Sequence, residues 1–371
     1  MGKTVRSYPA GDGTCALSEG EASSRRAAQA VDALRHGWPI RVDGGPVLLP
    51  VETGLAPGAI ASVMLISAAR AATLKLTNQR DAAIPHAPVL IRADETFDLA
   101  RGLPIADPAL DLAHPLKGPF RVLPLEWQDG AAGAMKLARI AGILPAFLVN
   151  PEPAGLVQDV STAGIAALTS PASLVIATHA DLPISADENG HIYAFRTVDD
   201  TREHIALVIG QRTAGKVPLV RLHSECLTGD ILGSLKCDCG PQLDSALAAM
   251  SAEAQAGGWG ILLYMRQEGR GIGLINKLRA YRLQDQGFDT IEANQRLGLP
   301  DEARDFPVAA RMLALLDVPA IRLMTNNPAK VVALETAGVT ITDRVPHQLP
   351  DNPHNRRYLT TKRDRAGHLL R

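Results

Sequence analysis

Three cysteines in one short segment are the residues best suited to chemistry in this sequence. Cys226, Cys237 and Cys239 have the spacing C-x10-C-x-C. Thiolate sulfur is a good ligand for Zn²⁺, and three protein ligands leave one tetrahedral position open, as in catalytic zinc sites. We therefore expect a metal site that also admits a water molecule. The alternatives are buried free cysteines that act as small apolar side chains, or a structural zinc with His223 as fourth ligand.

The segments on either side predict where these cysteines lie. Val217 to Leu222 is typical of a buried strand, and a helical pattern begins after Gly240. We expect the cysteines at the end of a strand and the start of a helix. The positive end of a helix dipole favours thiolate.

A second segment combines a strand, a glycine-rich loop and a helix. Gly260 to Met265 predicts the strand, RQEGRGIG the loop, and the helix runs from about Leu274 to Gln286. Such a loop offers backbone N–H groups to a phosphate, and Arg266 and Arg270 add charge-assisted hydrogen bonds. The G-x-G-x-x-G pattern of dinucleotide-binding proteins fails at Leu274, and no G-x-x-x-x-G-K-[ST] loop is present. The alternative for the two arginines is a solvated surface.

A third strand end is predicted at TNNPAK. Ala320 to Met324 predicts a strand and Asn327-Pro328 the start of the next helix. Thr325 supplies a hydroxyl and Lys330 a cation, both suited to a phosphate or a ribose. The alternative is that the segment is ordinary helix-start chemistry.

Several motifs together resemble those of GTP cyclohydrolase II of riboflavin biosynthesis. They are LHSECLTGDILGSLKCDCG, MRQEGRGIGLINKLRAYRLQDQGFDTIEAN, RDF, LMTNNPAK and NPHNRRYL, and the resemblance covers roughly Pro183 to the C-terminus. It implies an α/β domain with a mixed sheet and flanking helices, the second of two α/β domains expected in this chain. It implies hydrolysis of GTP to 2,5-diamino-6-(5-phosphoribosylamino)pyrimidin-4(3H)-one, formate and diphosphate. It also implies a homodimer, one Zn²⁺ per subunit on the three cysteines, and Mg²⁺ with the triphosphate.

The resemblance assigns roles position by position. Water activated by the zinc would attack C8 of the guanine. The residues implied to bind GTP are Arg221, Leu222, His223, Ser224, Glu225, Gln242, Glu268, Gly269, Arg270, Thr290, Thr325 and Lys330. Of these, Leu222 alone is a replacement, apolar for apolar.

Three further positions are implied to be catalytic. Arg304 corresponds to the family's proposed nucleophile at the α-phosphate, and a charge clamp on the departing diphosphate is an equal alternative. The family's proton-accepting aspartate is replaced by Glu302, and either Glu302 or Asp301, one place earlier, could serve as the base. Tyr281 corresponds to a tyrosine near the reacting carbon and favours full release of formate. The alternative functions are a related ring-opening enzyme with a formamidopyrimidine product or another pathway, and a non-catalytic zinc- or nucleotide-binding protein.

The N-terminal half alternates helical and strand-like patterns, which favours a second α/β domain. Predicted elements include helices over Ala27–Leu34, Ala59–Leu76 and Gly133–Ala141 and a strand over Ile40–Val51. Its pattern weakly resembles dihydroxybutanone phosphate synthase. Where that family carries a dense acidic stretch, this chain retains only Asp43 and a displaced Glu52, and Gly130 replaces a histidine ligand. Without clustered oxygen ligands Mg²⁺ is not held, so we predict an inactive synthase-like domain.

Length and composition set the wider expectations. The 371 residues predict two domains, placed at 19–182 and 183–371 after a flexible tail over 1–18 that contains Cys15. A net charge of −1 gives no general reason to bind nucleic acid or an anionic membrane. Four cysteines and the lack of a signal-peptide or membrane-spanning pattern favour a reducing compartment, the cytoplasm. We predict that His347, His354 and His368 lie on the surface.

Overall fold

The computed structural model describes residues 18–153, 155–197, 202–300, 302–364, 367 and 369. The predicted tail, including Cys15, lies outside them apart from Ser18, as do Asp301 and His368. The chain forms two compact units. The N-terminal unit contains Cys15–Ser170 and Ile272–Ala303, and the C-terminal unit contains Pro171–Gly271 and Arg304–Arg371. Within the described residues, none of the helices has the length and apolar character that crossing a bilayer requires.

Strands and helices alternate through both units. The strands are β1 (Ile40–Val42), β2 (Val47–Pro50), β3 (Ala61–Ile66), β4 (Val89–Phe97), β5 (Arg121–Leu123), β6 (Ala146–Val149), β7 (Gln158–Val160), β8 (Val175–Asp181), β9 (His191–Arg196), β10 (His204–Ile209), β11 (Leu219–Ser224), β12 (Gly260–Met265), β13 (Ala320–Met324) and β14 (Thr340–Val345). The helices are α1 (Glu19–Arg35), α2 (Ala68–Thr73), α3 (Leu99–Ala106), α4 (Gln128–Ala141), α5 (Thr162–Leu168), α6 (Cys239–Gln255), α7 (Glu268–Gly271, a single irregular turn), α8 (Leu274–Asp285), α9 (Thr290–Arg296), α10 (Phe306–Leu315), α11 (Pro328–Thr336) and α12 (Arg356–Asp364).

The N-terminal unit is built on a seven-stranded mixed sheet, in the order β5-β4-β3-β6-β2-β1-β7. Among the described strands of this sheet, β1 and β7 are the one pair that runs in parallel. Successive strand residues point to opposite faces, so Leu65 joins a core with α1, α4 and α5, whereas Met64 and Ile66 join a core with α2 and α3. Helices α8 and α9 complete the second core. This sheet is therefore covered on both faces.

The predictions of two secondary-structure elements in this unit were wrong. The predicted strand Ile40–Val51 is an antiparallel hairpin of β1 and β2, because Asp43 and Gly44 both take positive φ values, 48° and 69°, and reverse the chain. The predicted helix Ala59–Leu76 is strand β3 followed by helix α2, which Ser67 caps through a hydrogen bond from the Arg70 backbone N–H. A short apolar run fits a buried strand and a buried helix equally well.

The C-terminal unit contains a second seven-stranded mixed sheet, in the order β14-β13-β11-β12-β10-β9-β8. The first four of these strands are parallel to one another and the other pairs are antiparallel. Helix α6 packs on one face, while α10 and α11 pack on the other. The four parallel strands bring their carboxyl ends to one edge, which is where ligands bind in open α/β sheets.

The two sheets confirm the expected fold class of two α/β domains. The division between the units differs from the predicted boundary at 182/183. Strand β8 pairs with β9 and so belongs to the C-terminal unit, and the segment Ile272–Ala303 belongs to the N-terminal unit.

Candidate functional site

The three cysteines meet where β11 ends and α6 begins. All three sulfur atoms lie within 4.8 Å of one another, and the Sγ atoms of Cys226 and Cys237 are 3.7 Å apart. Cys226 and Cys237 are buried, while Cys239 is partly exposed. The backbone N–H of Gly229 lies 3.3 Å from the Cys226 sulfur as a donor. Residues 13 positions apart in the chain are thus brought into one cluster.

Two glycines make this close approach of the cysteines sterically feasible. A Cβ atom on Gly229 would lie 3.0 Å from the sulfurs of Cys226 and Cys237 and 2.9 Å from the Cys239 Cβ. A Cβ atom on Gly240 would lie 2.4 Å from the Gly229 carbonyl oxygen. These distances are shorter than van der Waals contact, so any larger residue at either position would push the turn away from the sulfurs.

The cluster has the ligand chemistry of a zinc site with one open position. Thiolate sulfur is a preferred ligand of Zn²⁺, whereas Mg²⁺ and Ca²⁺ prefer oxygen ligands, so three cysteine sulfurs favour zinc. His223 lies outside the group of three ligand atoms, and its Nε2 is 3.0 Å from the Asp230 carboxylate. The hydrogen bond with Cys226, together with burial, raises the pKa of Cys237. A dication held by the sulfurs would lower that pKa, since a coordinating thiol is deprotonated.

Asp230 stabilises the turn that follows Cys226 through hydrogen bonds. This residue was not among those predicted from the sequence. One of its carboxylate oxygens accepts hydrogen bonds from the Tyr264 hydroxyl at 2.9 Å and the Cys226 backbone N–H at 3.1 Å. The other lies 3.0 Å from His223 Nε2, and the side chain is 3% exposed. Burial and the bond to Asp230 raise the pKa of Tyr264, which keeps that hydroxyl a donor. An acid four residues after a candidate ligand, inside LTGDI, was the available signal.

Glu268 joins the glycine-rich loop to the cysteine segment. Its carboxylate accepts hydrogen bonds from the backbone N–H groups of Leu227 at 2.7 Å and Gly269 at 2.8 Å. Gly269 and Arg270 are consecutive left-handed residues, with φ of 62° and 61°. That conformation costs a non-glycine residue about 1 kcal/mol. Backbone strain of this kind is concentrated at functional sites.

A buried polar chain runs beside the cysteines. The Arg221 guanidinium donates to the Met324 carbonyl at 3.1 Å and to the Gln242 amide oxygen, and Gln242 donates to the Asp238 carboxylate at 2.5 Å. Burial lowers the pKa of Arg221 to about 10, against the opposing field of Asp238. Arg221 therefore stays positively charged at neutral pH and fixes Gln242.

Thr325 directly follows the neighbouring strand β13, and Lys330 lies in the first turn of α11. Both are buried, and the Lys330 ammonium donates to the Leu222 carbonyl at 3.0 Å. The Thr325 hydroxyl accepts a hydrogen bond from the Asn327 backbone N–H at 3.1 Å, and the Asn327 side chain caps α11. The segment therefore performs ordinary helix-start chemistry and also places a cation beside β11.

His347 lies two residues beyond β14, the outermost of the four parallel strands. It was predicted to be a surface residue and this was wrong, because it is 6% exposed. Burial, with a smaller effect of Arg221, lowers the pKa of His347 to about 4. Neither ring nitrogen has a hydrogen-bond partner among the described residues, and the same holds for Arg221 Nε and His223 Nδ1. Recognising VTITDRV as a strand would have placed His347 at this edge.

The remaining predicted residues are divided between the units. Ser224 ends β11, the Glu225 carboxylate pairs with Arg266 at 2.9 Å, and Arg304 is partly buried before α10. Leu222 packs its side chain into the core of the C-terminal unit.

Tyr281, Thr290 and Glu302 belong to the N-terminal unit. Tyr281 lies on α8 with the Lys277 ammonium 5.8 Å from its ring centre, and the Thr290 hydroxyl lies 3.2 Å from the Gln284 amide. Glu302 is exposed.

Substituting Gly229 tests the packing of the cysteine cluster. We expect Gly229→Ala to weaken zinc binding by about tenfold or more, because the new methyl group collides with all three cysteines. Competition with a chromophoric chelator measures the affinity. Gly233→Ala is the control in the same loop, since Gly233 is left-handed but has open space around its Cβ direction. Equal affinity in the two variants would contradict the steric account.

The lowered pKa of His347 predicts a pH dependence of stability. Between pH values of about 6.5 and about 4 the unfolded chain binds a proton at this residue and the folded chain does not, so stability falls as pH falls through that window. We expect His347→Leu to flatten the dependence, measured by urea unfolding at several pH values. The exposed His354, changed to Leu, should leave the slope unaltered. A wild-type slope in His347→Leu would refute the assignment.

Comparison with known proteins connects this geometry to a family. The GTP cyclohydrolase II family model matches residues 176–346. The chain is 38% identical to a protein named GTP cyclohydrolase-2 from Azospirillum brasilense over 374 residues, which is 94% of this chain and 95% of that protein. It is 59% identical over 169 residues to GTP cyclohydrolase-2 from Azotobacter vinelandii, covering 46% of this chain and 79% of that protein.

A third relative matches this chain over less than half of its own length. The riboflavin biosynthesis protein RibBA from Bacillus cereus is 53% identical over 180 residues, covering 48% of this chain and 44% of that protein. The similarity to the A. brasilense protein, in contrast, extends through nearly the whole of both chains. This chain belongs to the GTP cyclohydrolase II family.

Proposed function

We propose that this protein hydrolyses GTP to 2,5-diamino-6-(5-phosphoribosylamino)pyrimidin-4(3H)-one, formate and diphosphate, the first step of riboflavin biosynthesis. The observation that carries the proposal is the group of three cysteine sulfurs at the carboxyl edge of four parallel strands. That edge also carries a buried arginine, a buried lysine and a strained glycine-rich loop. A purely structural metal site does not require these neighbours.

The proposed reaction is a set of hydrolyses that balance without a redox partner. One water adds at C8 of the guanine, and the five-membered ring opens to leave a formamide. A second water cleaves the formamide and releases formate. A third water cleaves the bond between the α- and β-phosphates and releases diphosphate.

Cys226, Cys237 and Cys239 would hold zinc in this scheme. Zinc bound there would lower the pKa of a water molecule toward about 7, which would supply a nucleophile at neutral pH. Asp230 would keep the Cys226 backbone in place through its 3.1 Å hydrogen bond. Mg²⁺ is proposed to accompany the triphosphate, because phosphate oxygens are its usual ligands in nucleotide sites.

Two buried cations support binding of an anionic nucleotide. Arg221 and Lys330 are each less than 10% exposed; Arg221 lies within β11, and Lys330 lies in the first turn of α11. The unpartnered nitrogens of Arg221, His223 and His347 offer hydrogen bonds that a polar substrate can use. The remaining proposed GTP contacts are Leu222, Ser224, Glu225, Gln242, Glu268, Gly269, Arg270, Thr290 and Thr325.

The proposed chemistry at the phosphates belongs to Arg304. Its neighbour Asp305 is held by Gln267, whose amide oxygen accepts the Asp305 backbone N–H at 3.2 Å. This fixes Arg304 next to the glycine-rich loop of its own unit. A guanidinium is a poor nucleophile because it stays protonated in proteins, so we favour a charge clamp on the leaving diphosphate. Glu302 as general base and Tyr281 near C8 are proposed from the resemblance alone.

We further propose that the N-terminal half has no synthase activity. The two acids retained in the synthase-like region already have structural partners: Asp43 accepts a hydrogen bond from the Thr162 backbone N–H at 3.0 Å, and Glu52 is bound to Arg279. Carboxylates engaged in this way are poor ligands for Mg²⁺. A homodimer, the absence of nucleic-acid binding and a cytoplasmic location remain predictions.

The proposal is tested by incubating the purified, zinc-loaded protein with GTP and Mg²⁺ and identifying the products by mass. We expect formate and the deformylated pyrimidine in equal amounts. Cys239→Ser should abolish both, because one of three metal ligands is replaced by a weaker one. The matched control is Cys15→Ser, which changes the fourth cysteine of the sequence, in the predicted tail, and should retain activity.

Other outcomes would identify a different function. A product that retains the formyl group would favour the ring-opening enzyme that stops at a formamidopyrimidine. Unreacted GTP with one zinc still bound per chain would contradict catalysis and favour a binding protein.

A further inference from the structure

The segment Ile272–Ala303 lies within the family match but is packed as part of the N-terminal unit. It contains α8 and α9, which carry Tyr281 and Thr290. Six of its apolar side chains are buried in the same core as strand residues of the N-terminal sheet. They are Ile272, Ala280, Leu283, Ala293, Leu297 and Leu299. The N-terminal half therefore supplies the surface on which these helices fold.

A partly buried ion pair fixes α8 on that surface. The Arg279 guanidinium donates to both oxygens of Glu52, at 2.9 Å and 3.1 Å. The two side chains are 18% and 13% exposed. Glu52 also accepts a hydrogen bond from the Leu144 backbone N–H at 2.7 Å. A bidentate pair with low exposure fixes orientation as well as distance.

Further polar contacts extend this attachment along α8. Asn276 is fully buried, donates to the Gly142 carbonyl at 3.1 Å and accepts a hydrogen bond from Arg279 at 2.9 Å. Arg279 Nε also lies 3.6 Å from the Asp107 carboxylate. The side of α8 that packs on the N-terminal half therefore has both apolar and directional polar contacts.

The end of α9 approaches the N-terminal half closely. Gly298 follows this helix with φ of 74°, and a Cβ atom there would lie 2.2 Å from the Ser67 hydroxyl. The register of α9 against α2 is thus fixed by contact that leaves no room for a methyl group.

We propose that Arg279 is a positioning residue, anchored by Glu52, through which the N-terminal half holds the helices that carry Tyr281 and Thr290. The N-terminal half then contributes to GTP turnover as a scaffold. Arg279 itself is two residues from Tyr281, so a change in its orientation is transmitted directly along one turn of helix. The expected effect on kcat and KM rests on the proposed function. The expected anchoring of α8 and α9 rests on the packing and the ion pair alone.

The test compares Glu52→Gln, which keeps size and the bond to Leu144 but removes the charge, with Arg279→Lys, which keeps the charge but removes the bidentate geometry. The matched control is Glu95→Gln. It removes an ion pair of 3.2 Å between Arg101 and an exposed Glu95 in the same unit. Full-length zinc-loaded proteins are assayed for kcat and KM with GTP, for zinc content, and for backbone hydrogen exchange in α8 and α9.

We expect both anchor variants to lower kcat/KM about tenfold, with KM raised, while zinc content stays at one per chain. Exchange in α8 and α9 should become faster. A merely structural role would reduce the fraction of folded enzyme, which lowers apparent kcat and leaves KM unchanged. Glu95→Gln should match the wild type in every measurement.

The outcomes separate this inference from the proposed function. If the wild type does not turn over GTP, the proposed function fails, and faster exchange in Glu52→Gln still supports the anchor. Wild-type exchange in both anchor variants overturns it. Faster exchange with wild-type kcat and KM also overturns it, because the helices would then be held by Glu52 without consequence for GTP.

Discussion

The packing of three sulfur atoms around Gly229 is the constraint on which the rest of the C-terminal unit depends. Sulfurs within 4.8 Å of one another can be held only if the turn that faces them has no side chain. Two carboxylates fix the backbone of this turn. Asp230 accepts a hydrogen bond from the Cys226 backbone N–H, and Glu268 accepts one from the Leu227 backbone N–H. Two buried or partly buried carboxylates thus serve to set a backbone conformation.

The parallel half of the sheet explains why so many polar side chains converge near that turn. Strands β11, β12, β13 and β14 end at one edge, and each contributes a polar residue close after its last position. They deliver Cys226, Glu268, Thr325 and His347 from four separate parts of the sequence. Alternating apolar side chains along each strand face the cores on the two sides of the sheet. Polar residues therefore collect beyond the carboxyl ends of the strands, where ligands bind.

Sequence alone predicted the parts of the site that depend on local pattern. Strands β12 and β13 have the predicted bounds, and the cysteines lie at a strand end and a helix start as expected. The predictions that failed depended on tertiary context. The apolar run of β3 has no period that separates a strand from a helix, and the burial of His347 follows from β14 being the outer neighbour of β13. The partner of Glu52 lies 227 residues away, beyond any local signal.

The N-terminal half illustrates how a retained acid can take a different role. Pattern resemblance relates Glu52 to the acids of a synthase, whereas its partners in the structure are an arginine and a backbone N–H. The bidentate geometry and low exposure favour a fixed internal contact over metal binding. The A. brasilense relative, similar along nearly its whole length, gives a second chain in which this arrangement can be examined.

The central claim is that the three cysteines hold a metal with one position left for water. X-ray absorption at the zinc edge of the zinc-loaded protein tests it most directly. The account predicts three sulfur ligands at about 2.3 Å and one light atom at about 2.0 Å, without the outer-shell scattering of an imidazole. A fourth sulfur, or an imidazole such as that of His223, would show a closed structural site and contradict the account.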